Sequence, residues 1–216
     1  MSTPTRKARR SRTEPTSPDG GDERAFLGRL LPWVLLVGGV IGLAAAFTLT
    51  VEKIALLRDP NYIPTCSIDP VLSCGSIMRT AQAEVFGFPN SLIGLVCFAV
   101  VTTIGVVLLG GARLPRWVML GANVGALLGV LFVHWLIYQS LVVIGALCPY
   151  CMAVWAVTIP IFWYLTVENM RRGHLPMPPR LTRLAVTYHG VVLTSWLSAI
   201  ALTVLHAFWD HWVTLL

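Results

Sequence analysis

The sequence predicts an all-α, polytopic membrane protein: a four-helix bundle with a fifth transmembrane helix. Three observations lead there. Only 12% of the 216 residues are charged while 56% are hydrophobic, and the mean hydropathy is +0.72; a soluble domain carries about 25% charged residues. Five apolar runs are each long enough to cross a bilayer, which takes roughly 20 residues in a helix. The basic residues cluster in the N-terminal tail and in short connections between those runs. A net charge of +6 could also suggest nucleic acid, but nucleic acid would explain the charge and leave the apolar runs unexplained.

Residues 1–26 read as a disordered cytoplasmic tail, polar and rich in Ser, Thr, Pro and Gly. The membrane domain is expected over 27–216. Its spans are expected at about 30–50, 92–109, 117–138, 146–167 and 191–212, with an outer loop at 51–89. Gly38, Gly39 and Gly42 in the first span would let another helix approach closely. Trp117, Trp135, Trp163, Trp209 and Trp212 fall near span ends, where indole rings favour the interface. Within the loop, Ser76 to Val85 is expected as a short surface helix. The segment ENMRRGHLPMPPRLTR reads as an inner loop.

Orientation follows from Lys and Arg. With the N-terminus inside, inner segments carry 13 of the 16 basic residues, leaving Lys53, Arg58 and Arg79 outside. The positive-inside rule favours this arrangement. Five spans then put the C-terminus, the 51–89 loop and the turn before the fourth span outside.

That topology brings four cysteines to one face. Cys66 and Cys74 lie in the outer loop, and Cys148 and Cys151 form CPYC at the outer end of the fourth span. Disulfides persist outside a plasma membrane. In CPYC the two sulfurs share one helix face, and Pro149 suits a first helical turn. A thiolate there would be stabilised by unpaired N–H groups and the helix dipole. Zinc is one competing reading, but the wide spacing of the first pair is less typical of it. Inert structural disulfides are another. Two convergent pairs favour a relay in which a loop pair meets a soluble protein and a helix-end pair meets a lipid-soluble two-electron acceptor such as a quinone. No metal is expected.

Cys97 reads as a small buried residue. His134 reads as a packing or hydrogen-bonding residue, or else a proton carrier. His206 and His211 are given no ligand role. Asn90 is either a helix cap or a polar hand for a ligand oxygen.

CSIDPVLSCG (Cys66 to Gly75), FGFPNSLIG (Phe86 to Gly94) and CPYC (Cys148 to Cys151), in this order and topology, resemble the vitamin K epoxide reductase family. The resemblance covers about residues 30–167. It implies a bundle around a quinone (menaquinone or ubiquinone) in a bacterial plasma membrane. It implies that Cys66 meets a separate extracytoplasmic thioredoxin-like (DsbA-like) partner, that Cys74 passes electrons to Cys148, and that Cys151 faces the quinone. Asn90 matches the family asparagine that bonds the quinone oxygen, and Thr80 a hydroxyl residue near the loop cysteines. Trp155 stands where the animal enzymes have a tyrosine, so quinone epoxide reduction is not carried over. The implied function is a quinone-dependent thiol oxidoreductase supporting disulfide formation in exported proteins. The rivals are a quinone-independent membrane thiol carrier and a non-catalytic transport or structural subunit.

Overall fold

The computed structural model describes residues 19–214, so the tail reading for residues 1–18 falls outside the described residues. It is an all-α membrane protein with five helices long and apolar enough to cross a bilayer. The helices are α1 (Asp19–Arg58), α2 (Cys74–Met78), α3 (Asn90–Leu109), α4 (Arg116–Tyr138), α5 (Pro149–Arg171), α6 (Pro179–Thr187), α7 (His189–Ala207) and α8 (Trp209–Thr214). A 3-10 turn (Ala81–Glu84) follows α2, and a wide π-helical turn (Gln139–Ile144) extends α4.

Helix α1 runs past both expected ends of its span. It begins at Asp19, and it continues through Glu52 and Lys53 to Arg58. Hydropathy falls at that pair, but nothing breaks the helix until Asp59-Pro60, where a residue preceding proline disfavours helical dihedrals. The loop after the first span therefore starts at Asp59. The fourth span starts at Pro149 rather than near 146, because Leu147 is extended in a backbone bridge to Leu72 and Cys148 precedes a proline. The expected surface helix at 76–85 is split: α2 ends at Met78 and the 3-10 turn takes over after Thr80. The segment expected as an inner loop is helical at both ends, as the end of α5 and as α6, whose Pro179 sits in the first turn, where proline is tolerated. The fifth span ends at Ala207: Phe208 leaves helical geometry (φ −118°, ψ 30°) and buries its ring.

Helix α1 packs on α3 and α5, and α5 also packs on α4 and α7. Leu31, Leu35, Met119, Ile161 and Leu165 form the centre of the largest core. The α1 glycines act as expected, and on two neighbours. A Cβ on Gly39 would sit 2.9 Å from Thr102 N and one on Gly42 2.4 Å from the Phe98 ring, both on α3, whereas Gly38 faces Ile161 of α5. Gly105 of α3 completes the contact, since its Cβ would lie 2.6 Å from Leu36 N. Small residues let helix backbones meet in lipid, where van der Waals packing drives association. Near the C-terminal end of α5, fully buried Asn169 donates to Met119 O (3.0 Å) and Asn123 Oδ1 (3.1 Å), tying α5 to α4.

Candidate thiol-exchange site

The site is assembled by two short backbone pairings. Asp69 starts a tight turn: its Oδ1 accepts the N–H groups of Val71 (2.8 Å) and Leu72 (2.7 Å). The Leu72 N–H hydrogen bond is the main reason its carboxyl titrates below the ordinary range, helped by Val71 and the charge of His211. The turn folds the chain so that Ser67 pairs antiparallel with Ser73. That places Cys66 opposite Cys74, with Cα atoms 5.5 Å apart, and the two are joined as a disulfide.

The second pairing joins the loop to the bundle. Ser73 N donates to Leu147 O (2.9 Å), and Leu147 N donates to Val71 O (2.7 Å). This parallel bridge pairs Leu72 with Leu147, so the chain enters α2 at Cys74 and α5 at Cys148 just beyond it, and the two sulfurs are 2.9 Å apart. Sulfurs of Cys66, Cys74 and Cys148 all lie within 4.8 Å of one another. Three thiolates so placed would suit zinc, but the Cys66–Cys74 bond engages two of the sulfurs.

Cys148 is the N-cap of α5, Pro149 is in the first turn, and Cys148 and Cys151 are free thiols. The Cys148 thiol is held below its ordinary pKa, first by a hydrogen bond from the Cys151 thiol and then by backbone N–H groups of Cys151 and Tyr150, against the opposing effect of burial. The backbone N–H groups at the start of α5 thus add to the lowering of the Cys148 pKa, behind the Cys151 thiol. Cys151 lines a narrow pocket with Trp155, Gln82, Gln139, Leu136 and Ile77.

Charged residues on α1 hold the loop in place. Buried Lys53 donates to Met78 O at the end of α2 (2.6 Å) and pairs with Glu84 (2.9 Å). Buried Glu52 accepts the Thr65 N–H (3.3 Å) and hydroxyl, next to Cys66. Tyr62 also donates to Glu52, which raises the phenol pKa. A buried charge is tolerated only when paired or hydrogen-bonded. Both meet that condition by gripping opposite ends of the cysteine loop. From the sequence, Lys53 counts only as one of three outer-loop basic residues and Glu52 is not singled out; the available signal was an acid–base pair at the end of an apolar run.

The match to known proteins falls on the same stretch. The family model described as "Vitamin K epoxide reductase family" matches residues 33–166, which include all four cysteines of the site. The chain belongs to the vitamin K epoxide reductase family. Among curated proteins, none matches the chain. Membership makes it an oxidoreductase of the membrane, in a family whose members use quinones and thioredoxin-like partners.

The remaining residues singled out from the sequence sort differently. Asn90 is not a cap. Pro89 holds the N-cap position of α3, while the Asn90 amide donates to Gln82 O (2.7 Å) and leaves its buried Oδ1 without a partner. Trp155 is buried beside Leu147, and its Nε1 also lacks a partner. Thr80 donates to Ile77 O (2.7 Å) and closes the turn after α2, and it is not among the residues lining the Cys151 pocket. Cys66 is 6% exposed, well covered for a residue expected to meet a protein. Cys97 is exposed on the outer side of α3 instead of buried, because Phe98 takes the inward position there. His134 donates from Nδ1 to Val130 O (2.8 Å) and accepts from Trp196 at Nε2 (3.0 Å). With both nitrogens engaged, it bridges α4 and α7.

Proposed function

We propose that this protein oxidises the dithiol of an extracytoplasmic thioredoxin-like partner and delivers the electrons to a membrane quinone. The observation that carries the reading is the 2.9 Å approach of Cys74 and Cys148, with Cys151 on the wall of the adjoining pocket. The partner dithiol reduces Cys66–Cys74 through a mixed disulfide at Cys66 and leaves oxidised. Cys74 thiolate attacks Cys148 of a Cys148–Cys151 disulfide and releases Cys151. Cys66 thiolate then attacks Cys74 and releases Cys148. The products are the Cys66–Cys74 disulfide and two CPYC thiols, the bonding state seen here. The low pKa of Cys148 makes it the better leaving group in that last exchange.

The pocket wall has the chemistry to bind a quinone head, and its cavity of about 30 Å³ must widen to admit one. Its wall combines apolar side chains with Cys151 and the unpartnered Trp155 Nε1–H, a donor suited to a ring carbonyl. Asn90 does not itself line the pocket, but it holds the backbone of the lining residue Gln82, and its unpartnered Oδ1 would suit a quinol hydroxyl. A bound menaquinone or ubiquinone supplies the two-electron, two-proton acceptor. Cys148 and Cys151 give up two electrons and two protons and close their disulfide.

Purified protein mixed with a reduced thioredoxin-like protein and a quinone is expected to form quinol in step with partner oxidation, followed by quinol absorbance and thiol titration. Partner oxidation that continues without quinone, passing electrons to a second dithiol protein, would favour the thiol-carrier reading instead. Asn90→Ala is expected to lower kcat/KM for quinone by roughly tenfold to a hundredfold, the loss of one hydrogen bond to a ligand oxygen. Normal quinone kinetics with reduced thermal stability would reduce Asn90 to a tether for Gln82.

The orientation proposed places the bacterial cytoplasm at the N-terminus and the exchange site outside, on the distribution of Lys and Arg. A reporter active only outside, fused after Leu216, is expected to be active; activity of a cytoplasm-only reporter there would reverse the topology.

A further inference from the structure

We infer that the C-terminal helices α7 and α8 are a positioning strut for disulfide exchange, holding the Val71–Ser73 segment on Leu147 and thereby setting the approach of Cys74 to Cys148. The inference rests on the Cys74–Cys148 exchange proposed above and adds an element outside the stretch matched by the family model, which ends at residue 166.

Three observations converge on the outer end of α7. Burial along this helix is concentrated there: within α7 only Val204 is buried, followed by Phe208 at its C-cap (8% exposed), while most of its length faces outward. These two side chains, with Ile200, pack in one cluster with Val71, Leu72 and fully buried Leu147. Those are the residues whose backbones bridge loop and bundle. The chain then turns at Phe208, and α8 brings His211 Nε2 to 3.6 Å from Asp69 Oδ2. The same carboxylate uses Oδ1 to close the turn through Val71 and Leu72. One strut thus touches the bridge from its apolar side and from its turn.

The physical need for such a strut is plain. A bridge of two backbone hydrogen bonds at the end of an irregular loop is weak alone, because each such bond largely replaces one made with water. Exchange between sulfurs demands near-contact geometry, so a small displacement of the segment costs rate more than fold. Elsewhere α7 is tied to the bundle by Trp196 to His134 and by Trp163 to the His189 carbonyl (2.9 Å). These bonds fix the helix against α4 and α5, and its outer end can then bear on the loop.

The test uses full-length protein carrying Cys66→Ser and Cys151→Ser, so that Cys74 and Cys148 are the only site thiols. Diamide takes their two electrons and two protons and leaves a Cys74–Cys148 disulfide, whose rate of formation is followed by alkylation and mass mapping. Adding His211→Ala or Phe208→Ala is expected to slow this bond by about tenfold or more. His211→Gln, which can still donate to Asp69, is expected to restore the rate, with the thermal midpoint unchanged in both His211 variants. Leu202→Ala, on the exposed middle of α7, serves as the control and is expected to leave the rate unchanged. Equal rates in parent, His211→Ala and Phe208→Ala proteins overturn the strut. If Phe208→Ala does not fold, the His211 pair decides. Failure of the parent double variant to form the bond at all would instead overturn the exchange reading beneath it.

Discussion

Cys151→Ser is expected to lose quinone reduction by roughly a thousandfold or more, as when one member of a catalytic unit is removed, while still forming a Cys74–Cys148 disulfide. The three remaining site cysteines then hold one disulfide. The Cys148 thiolate can move it from Cys66–Cys74 to Cys74–Cys148 across the 2.9 Å contact, releasing Cys66. No second CPYC thiol is left to attack Cys148 and displace Cys74, or to give up the second proton and electron. Cys148→Ser is expected to lose partner-driven turnover to the same degree, but without that bond. Alkylation under quenching conditions and mass mapping of both variants separate the two outcomes. A Cys148→Ser protein that kept partner-driven quinone reduction, through a Cys74–Cys151 bond, would reverse the roles of the two CPYC cysteines.

Gly105→Leu is expected to give the largest loss of stability. The new Cβ would lie 2.6 Å from Leu36 N, 3.0 Å from Leu36 Cα and 3.1 Å from Leu35 C, all backbone atoms of α1. Backbone cannot rotate away as a side-chain tip can, so α1 and α3 must separate along the seam that Gly39 and Gly42 also form. Overpacking of a tight contact costs about 3 kcal/mol at the upper end of its usual range. In a chain of this size that corresponds to a fall in thermal midpoint of roughly 6–12 °C. Activity is expected to fall with it, because α1 carries Glu52 and Lys53 to the cysteine loop. Gly121→Leu is the comparison: a Cβ there meets nothing within 4 Å, and its midpoint is expected to match the parent. A Gly105→Leu protein as stable as the parent would show that the α1–α3 seam yields without cost.

The sequence by itself determined the membrane class, the five spans and the gathering of four cysteines at one end, because each rests on local and additive properties. Apolar length decides a span, basic residues decide its preferred direction, and CPYC carries its own spacing and helix-starting proline. It was equally enough to place Cys74 and Cys148 on the same side, through topology alone. Contacts between distant segments were decided only by the tertiary structure. Nothing local to Leu72 or Leu147 signals that their backbones pair, yet that pairing puts Cys74 against Cys148. Glu52 and Lys53 looked like loop charges because hydropathy weighs each residue without its partners; burial became tolerable only where Thr65, Met78 and Glu84 came to meet them. Asn90 looked equally like a cap or a ligand hand until Pro89 took the cap and Gln82 took the amide. Cys97 was assigned to the interior on its apolar neighbours, whereas its outward direction depends on helix rotation, which packing of Phe98 against α1 set. The bearing of Phe208 and His211 on the loop has the same origin: a contact between residues more than 130 positions apart exists only once the helices between them have packed.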